Sequence, residues 1–306
     1  MSATASGNVA AIDIGTNSVR LLVTDASGRE LVRHMRITRL GQGVDVTGSL
    51  HPDAIARTIE VLASYRLELE QHRVERVRAT ATSAARDAAN SADFFSAAEQ
   101  ALGHRPELLP GEEEALLSFR GATSGLSSTV APGPYLVIDI GGGSTEFVLG
   151  ERAPEQLISV NMGCVRMAER HFVSDPATPA QLEACFADVR AVLDEVKSSI
   201  DIARACTVVG LAGTITTLAA LQKGLKRYDP AATHHAWLTR EQVERLFTEL
   251  AGRDVEGRRQ LLAEPKRADV IVGGAAVLLT IMRELSIASL LVSEADILDG
   301  LAASLR

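Results

Sequence analysis

Apolar residues along this chain gather in short β-branched runs broken by glycine, and in longer stretches of helical spacing. Residues 8–14 and 18–25 are two such runs around Gly15, which predicts a hairpin. An alternating strand is expected over 30–37, then a glycine-punctuated loop over 39–50 (RLGQGVDVTGSL). Pro52 opens a predicted helix in which Ile55, Ile59 and Leu62 share one face. A strand over 74–81, a small-residue segment over 80–90 (TATSAARDAAN) and a helix over about 91–102, stopped by Gly103, complete an α/β pattern. Pro110 and Gly111 then precede Glu112, Glu113 and Glu114, as suits a helix N-terminus.

Residues 123–134 (TSGLSSTVAPGP) carry the Ser, Thr, Gly and Pro expected of a crossing between domains. Beyond it the runs 136–138 and 147–149 predict a second hairpin, and 157–172 a strand, Gly163 and a helix. A long amphipathic helix is expected over 181–203, and a strand over 206–210 that runs into a helix (GLAGTITTLAAL). An apolar helix over 267–282 holds Gly273 and Gly274 inside it. Each costs a helix about 1 kcal/mol against alanine, which calls for a closely approaching backbone or ligand, or for tight helix packing. A strand over 289–293 and a closing helix over 294–305 end the chain. The expected domains are 1–125, joined by the closing helix 294–306, and 126–293.

The two hairpins are one motif written twice. With Asp13 set on Asp139, residues Ile12, Ile14, Gly15 and Ser18 fall on Ile138, Ile140, Gly141 and Ser144. Consecutive glycines between strands cost backbone entropy, but they let N–H groups converge on an anion. The candidate phosphate-binding residues are therefore Gly141, Gly142, Gly143, Ser144 and Thr145, with Gly15, Thr16, Asn17 and Ser18 in the first copy. Asp139 and Glu146 flank the glycine loop as oxygen ligands for Mg²⁺, direct or through water. Asp13 is their counterpart in the first copy, and Mn²⁺ is the alternative ion. Gly213 and Thr214, between a strand and a helix, have the geometry for an anion at a helix N-terminus. Arg86 has two uses, a bidentate grip on a terminal phosphate or a salt bridge to Asp87 or another local carboxylate. Arg166 is a further phosphate candidate. Glu112, Glu113 and Glu114 either cap their helix or supply a base, and spacing does not choose among them. Two like hairpins half a chain apart imply duplicated domains with phosphate clamps facing across a cleft. That arrangement resembles the actin/Hsp70/sugar-kinase superfamily and its ribonuclease-H-like domains.

Composition narrows the class. At 306 residues, 46% apolar and 23% charged, the chain has the make-up of a soluble protein with room for two cores. No apolar run reaches the roughly 18 residues of a membrane span. The N-terminus, MSATASGN, lacks the pattern of a secretory signal. Cys164, Cys185 and Cys206 form no CxxC, so buried thiols in a reducing cytoplasm are expected, with no membrane partner. His234 and His235 are adjacent and cannot chelate zinc as an i, i+4 pair would. A net charge of −8 argues against a nucleic-acid surface. A polyanion would be met by local clusters: Arg33/Arg36/Arg39, Lys223/Lys226/Arg227, Arg258/Arg259 and Lys266/Arg267.

The motifs IDIGTNSVRL, RLGQGVDVTGSL, ATSAARDAAN, GEEEALLSF, VIDIGGGSTE, GLAGTITTLA, KRADVIVGGA and VSEADILDG occur in an order that resembles the exopolyphosphatase/guanosine-pentaphosphate phosphohydrolase (Ppx/GppA) family. The resemblance covers about residues 9–301. It implies that Glu114 is the catalytic glutamate, since Gly111, Glu113, Glu114 and Ala115 fit the family's Gly-x-Glu-Glu-Ala, and that Asp139 and Glu146 act around Mg²⁺. The implied activity is hydrolysis of the terminal phosphoanhydride of inorganic polyphosphate, releasing orthophosphate. Hydrolysis of guanosine pentaphosphate (pppGpp) is the alternative. From other classes, a non-catalytic sensor of polyphosphate or ppGpp, a kinase and an actin-like assembly protein remain open. With no Ser-His-Asp or Cys-His pairing spelled out, direct attack by water is expected. Many members of that family continue into a helical extension beyond the position of Arg306, and the resemblance implies a short form without it. The chain's basic clusters are short, so a short-chain enzyme that releases its product after few cleavages is expected. A homodimer is the expected assembly.

Overall fold

A computed structural model describes residues 7–127 and 131–306. The first six residues of the N-terminus, and 128–130 of the expected crossing segment, lie outside the described residues. The chain divides into two compact units, residues 1–121 with 297–306, and residues 122–296.

The first unit holds strands β1 (Asn8–Ile14), β2 (Ser18–Thr24), β3 (Glu30–Ile37), β4 (Val74–Ala81) and β5 (Glu107–Leu108) in the order β3-β2-β1-β4-β5. The first three form an antiparallel meander, and β4 and β5 join in parallel. Alternation along β1 sorts its side chains by face. Ala10, Ile12 and Ile14 pack with Leu62, Tyr65 and Phe94 of the helices Pro52–Gln71 and Ser91–Leu102. Ala11 packs on the other face with Leu117, Leu298 and Leu301, from the helices Gly111–Thr123 and Ile297–Ser304. Gly300 permits that second layer, because a Cβ there would collide with the Leu117 carbonyl.

The second unit holds β6 (Tyr135–Ile140), β7 (Thr145–Gly150), β8 (Pro154–Val160), β9 (Thr207–Leu211), β10 (Trp237–Thr239) and β11 (Ser289–Val292), ordered β10-β11-β9-β6-β7-β8. Read from the meander outward, β8-β7-β6-β9-β11 repeats the first sheet, and β10 adds one antiparallel edge strand. The protein is thus α/β with two mixed sheets of matching order, as the repeated motif implies. β6 and β7 are buried at every position. Their core is filled from the helices Pro179–Ser199, Ala212–Gln222, Arg240–Ala251 and Ile271–Glu284.

Several elements depart from the sequence pattern. Residues 223–266 carry no expected element, yet they include β10 and the helices Arg240–Ala251 and Val255–Leu261. The first of these helices is closed by a capping box between Thr239 and Gln242 and buries Val243, Leu246, Phe247 and Leu250. The expected loop 39–50 contains a short helix, Val44–Thr47, between left-handed Gly43 and Gly48. The small-residue segment holds a helical turn, Ser83–Asp87. The long helix stops at Ser199, where Ile200 turns extended, and a 3-10 turn follows over Ile202–Arg204. Gly273 serves packing: a Cβ there would lie 2.6 Å from the Cys164 carbonyl oxygen and 2.9 Å from the Ala168 nitrogen. Among the described residues no helix is long and apolar enough to cross a membrane.

Candidate functional site

Both hairpins close with the same hydrogen bond. The Gly15 amide donates to the Ser18 carbonyl at 2.9 Å, and the Gly141 amide to the Ser144 carbonyl at 3.0 Å. In each unit the segment after the third strand then braces the turn. In the first, the Gly41 amide donates to the Thr16 carbonyl at 2.8 Å, and the Thr38 and Arg39 amides to the Asn17 carbonyl at 3.1 and 3.0 Å. In the second, the Cys164 amide donates to Gly141 at 3.0 Å, and the Val165 and Arg166 amides to Gly142 at 2.9 and 3.2 Å. Arg166 Nε adds a bond to the Gly143 carbonyl at 2.7 Å. These amides belong to the first turn of the helix Cys164–His171, where no intrahelical acceptor exists. Arg166, a phosphate candidate in the sequence, is seen here holding the loop through the Gly142 and Gly143 carbonyls.

With its carbonyls so engaged, the loop leaves the amides of Gly142 and Gly143 without an acceptor among the described residues. The matching position in the first loop carries Asn17, a buried side chain whose amide oxygen and nitrogen both lack a hydrogen bond. Such a group costs about 1–3 kcal/mol unless a ligand supplies the partner.

The position facing the aspartate differs between the copies. Asp13 lies opposite Arg20, which donates from Nε at 3.1 Å and from Nη2 at 2.7 Å to Asp13 Oδ2. Asp139 lies opposite Glu146; the two are 7% and 1% exposed, and Ser159 Oγ donates to Glu146 Oε1 at 2.7 Å. Like charges directly opposite on a sheet repel. No group of three or more Asp, Glu, His or Cys among the described residues is arranged to hold a metal. Mg²⁺, however, commonly takes one or two carboxylates from protein and completes its octahedron with water and substrate phosphates. Asp139 and Glu146 fit that demand.

The three glutamates part company in the structure. Glu112 is exposed. Glu113 pairs with Arg78 at 2.6 Å and leaves 43% of its side chain exposed. Glu114 leaves only 13% exposed and accepts from Arg86 Nη1 at 2.9 Å. The same nitrogen donates to the Leu109 carbonyl at 2.7 Å. Of the two uses expected for Arg86, the local salt bridge is formed, and to Glu114 rather than Asp87.

At the third glycine turn β9 leads through Ala212, held at φ 67°, into the helix Ala212–Gln222. A non-glycine residue in that region stores of order 1–3 kcal/mol of strain. Gly213 lies under the Arg267 guanidinium, which a Cβ would strike. Thr214 is buried against Gly274 and Cys164, and burial pushes the Cys164 thiol up. Pattern reading missed Arg20 as the partner of Asp13 and the residues 38–41 as a brace. The signal for the first was its seven-residue separation across a three-residue turn.

A chain with two copies of this turn belongs to a recognisable class. The Ppx/GppA phosphatase family model matches residues 22–305, and the chain belongs to that family. It is 45% identical to exopolyphosphatase 2 of Mycobacterium tuberculosis, over 97% of this chain and 98% of that protein. A guanosine-5'-triphosphate,3'-diphosphate pyrophosphatase of Vibrio cholerae is 31% identical over 95% of this chain, which spans 58% of that protein. A solved exopolyphosphatase-like protein superposes with a TM-score of 0.94 at 38% identity, covering 97% of this chain and 98% of its own.

Proposed function

We propose that this chain is an exopolyphosphatase, hydrolysing the terminal phosphoanhydride of inorganic polyphosphate with Mg²⁺ and releasing orthophosphate. The observation that carries the reading is its 45% identity to a protein named exopolyphosphatase 2, end to end in both chains. The roles follow from the chemistry of each residue set. Glu114 orients the attacking water and takes its proton, and Arg86 fixes the carboxylate in place. The free amides of Gly142 and Gly143, the Asn17 amide and the first turn at Gly213 and Thr214 bind phosphate oxygens. Ser18, Ser144 and Thr145 complete the turns. Asp139 and Glu146 would hold Mg²⁺, directly or through water. Bound there, the ion would neutralise charge on the phosphoryl oxygens and the leaving group. Asp13 is left out of the metal set, because Arg20 already sets a positive charge against it.

The similarity to guanosine-5'-triphosphate,3'-diphosphate pyrophosphatases keeps pppGpp as the second reading. The experiment is phosphate release from polyphosphates of defined length and from pppGpp, each with Mg²⁺ and with EDTA. Mg²⁺-dependent release that is faster from polyphosphate is expected. Faster release from pppGpp transfers the assignment, and binding without release from either leaves a sensor.

A further inference from the structure

The four basic clusters of the sequence have different surroundings. Arg33 pairs with Glu30 and Asp299, Arg258 with Asp175, Arg259 with Glu256 and Arg267 with Glu264. Lys223, Lys226 and Arg227 are exposed, and none has an ion pair among the described residues. Arg245, exposed as well, donates to Gln222 Oε1 at 3.4 Å and so borders Lys223. In a chain of net charge −8, Lys223, Lys226 and Arg227 thus stand without a salt bridge among the described residues, and Arg245 adds a fourth cation beside them. Lys223 alone would be explained by its place at the helix C-terminus, where a cation meets the negative end of the dipole. Lys226 and Arg227 lie beyond that end.

Their position is set by a strap that returns towards the ends of β9 and β11. After left-handed Gly224 the Leu225 amide returns to the Ala220 carbonyl at 3.0 Å, reversing the chain. Tyr228 then donates its hydroxyl to Glu294 Oε1 at 2.6 Å, with Thr216 as a hydrogen-bond neighbour. Thr233 donates to the same carboxylate oxygen, and the Glu294 amide donates to His234 Nδ1 at 3.1 Å. The residue before Glu294, Ser293, donates its amide to the Gly210 carbonyl at 2.9 Å. The strap is thereby fastened to the carboxyl-terminal edge of β9 and β11, from which the Ala212–Thr214 turn leaves. Arg227 and Lys226 are one and two residues from its anchor.

We propose that Lys223, Lys226 and Arg227, with Arg245, hold the phosphates of a polyphosphate chain beyond those being cleaved. The inference rests on the reading of this chain as a polyphosphate hydrolase and extends its substrate contacts. Recognition is by charge, so each phosphate held adds a salt-dependent increment of binding.

The test is the triple variant Lys223→Gln, Lys226→Gln, Arg227→Gln, whose thermal unfolding should match wild type because all three side chains are exposed. With long polyphosphate its KM should rise several-fold to about tenfold, and the slope of log KM against log salt should shrink by about two. Its kcat, and its KM for triphosphate, should not change. An unchanged KM for the long chain, or an equal rise for triphosphate, overturns the proposal. A second arm titrates end-labelled long polyphosphate into Glu114→Gln protein with and without the triple substitution, and needs no turnover. If wild type hydrolyses no polyphosphate, the functional reading fails while this arm still decides the patch. Equal affinity of the patch for single-stranded RNA of the same charge would mark a general polyanion surface and overturn the assignment.

Discussion

The two hairpins share a backbone and differ in one decisive side chain. Their turns close with bonds of 2.9 and 3.0 Å, and both are braced by the segment after the third strand. Position 20 of the first copy and position 146 of the second are equivalent, each facing the strand aspartate. Arg20 makes the first pair an ion pair within the chain. Glu146 makes the second a pair of facing acids, suited to an external cation. A duplicated frame has thus been given two electrostatic characters by an exchange at one register position. Stability should depend on the first pair, and response to Mg²⁺ on the second.

The largest effect should come from neither pair. Glu114→Gln is expected to lower kcat by about 10²–10⁴-fold, while the Mg²⁺ concentration for half-maximal rate stays put. Glu113→Gln, on a side chain already paired with Arg78, should stay within a few-fold. Equal losses from both would sink the assignment of the base. Next come the braces. Gly163→Ala drives a Cβ into the Gly142 backbone, whereas the atoms nearest a Cβ at Gly41 belong to the Thr16 and Ala84 side chains. Displacing a binding loop by about 1 Å costs on the order of 10²-fold. Steady-state kinetics should therefore show a large loss for Gly163→Ala and a smaller one for Gly41→Ala; the reverse order would show that the second loop is not the more rigidly used.

Asp139→Asn and Glu146→Gln should raise the Mg²⁺ midpoint by about tenfold to a hundredfold without loss of the fold. In EDTA each should melt no lower than wild type, since one of two facing charges is gone. A lower maximal rate at an unchanged midpoint would speak against metal binding. Arg20→Gln is the mirror experiment. Arg20 is one-fifth exposed, so the loss should be about 1–3 kcal/mol, less than for a fully buried pair. Urea unfolding would measure it, and a shifted Mg²⁺ midpoint in this variant would break the contrast between the hairpins.

Much of this was legible because the motif is local. A strand, an aspartate, a glycine turn and a second strand lie within a dozen residues, and their recurrence after 126 positions exposes the duplication. The short strands β5 and β10 offer too few residues for periodicity to register. The helix Arg240–Ala251 was a different case, for Thr239 and Gln242 spell a capping box that the pattern reading passed over. At the site, the glutamates are told apart only by partners 28 and 35 positions away, Arg86 and Arg78. Arg20 opposite Asp13 could have been read by counting register across the three-residue turn, though not from composition. Arg258 read as a surface cation, yet it is buried with donors on Asp175 and on backbone carbonyls, a choice made by tertiary packing.

Gly163 and Gly273 bring three layers into backbone contact. A Cβ on Gly163 would lie 2.7 Å from the Gly143 nitrogen, and one on Gly273 would lie 2.6 Å from the Cys164 carbonyl. The glycine loop therefore rests on the helix Cys164–His171, and that helix rests on Ile271–Glu284, with no side chain between to yield. Such a stack behaves as a stiff seat. In the proposed phosphate-binding role it would lose little conformational freedom when an anion arrives, and it would not widen for a larger one. If the loop binds phosphate as proposed, its selectivity would be a matter of gauge, with a tetrahedral group of one size accepted and bulkier anions refused by stiffness.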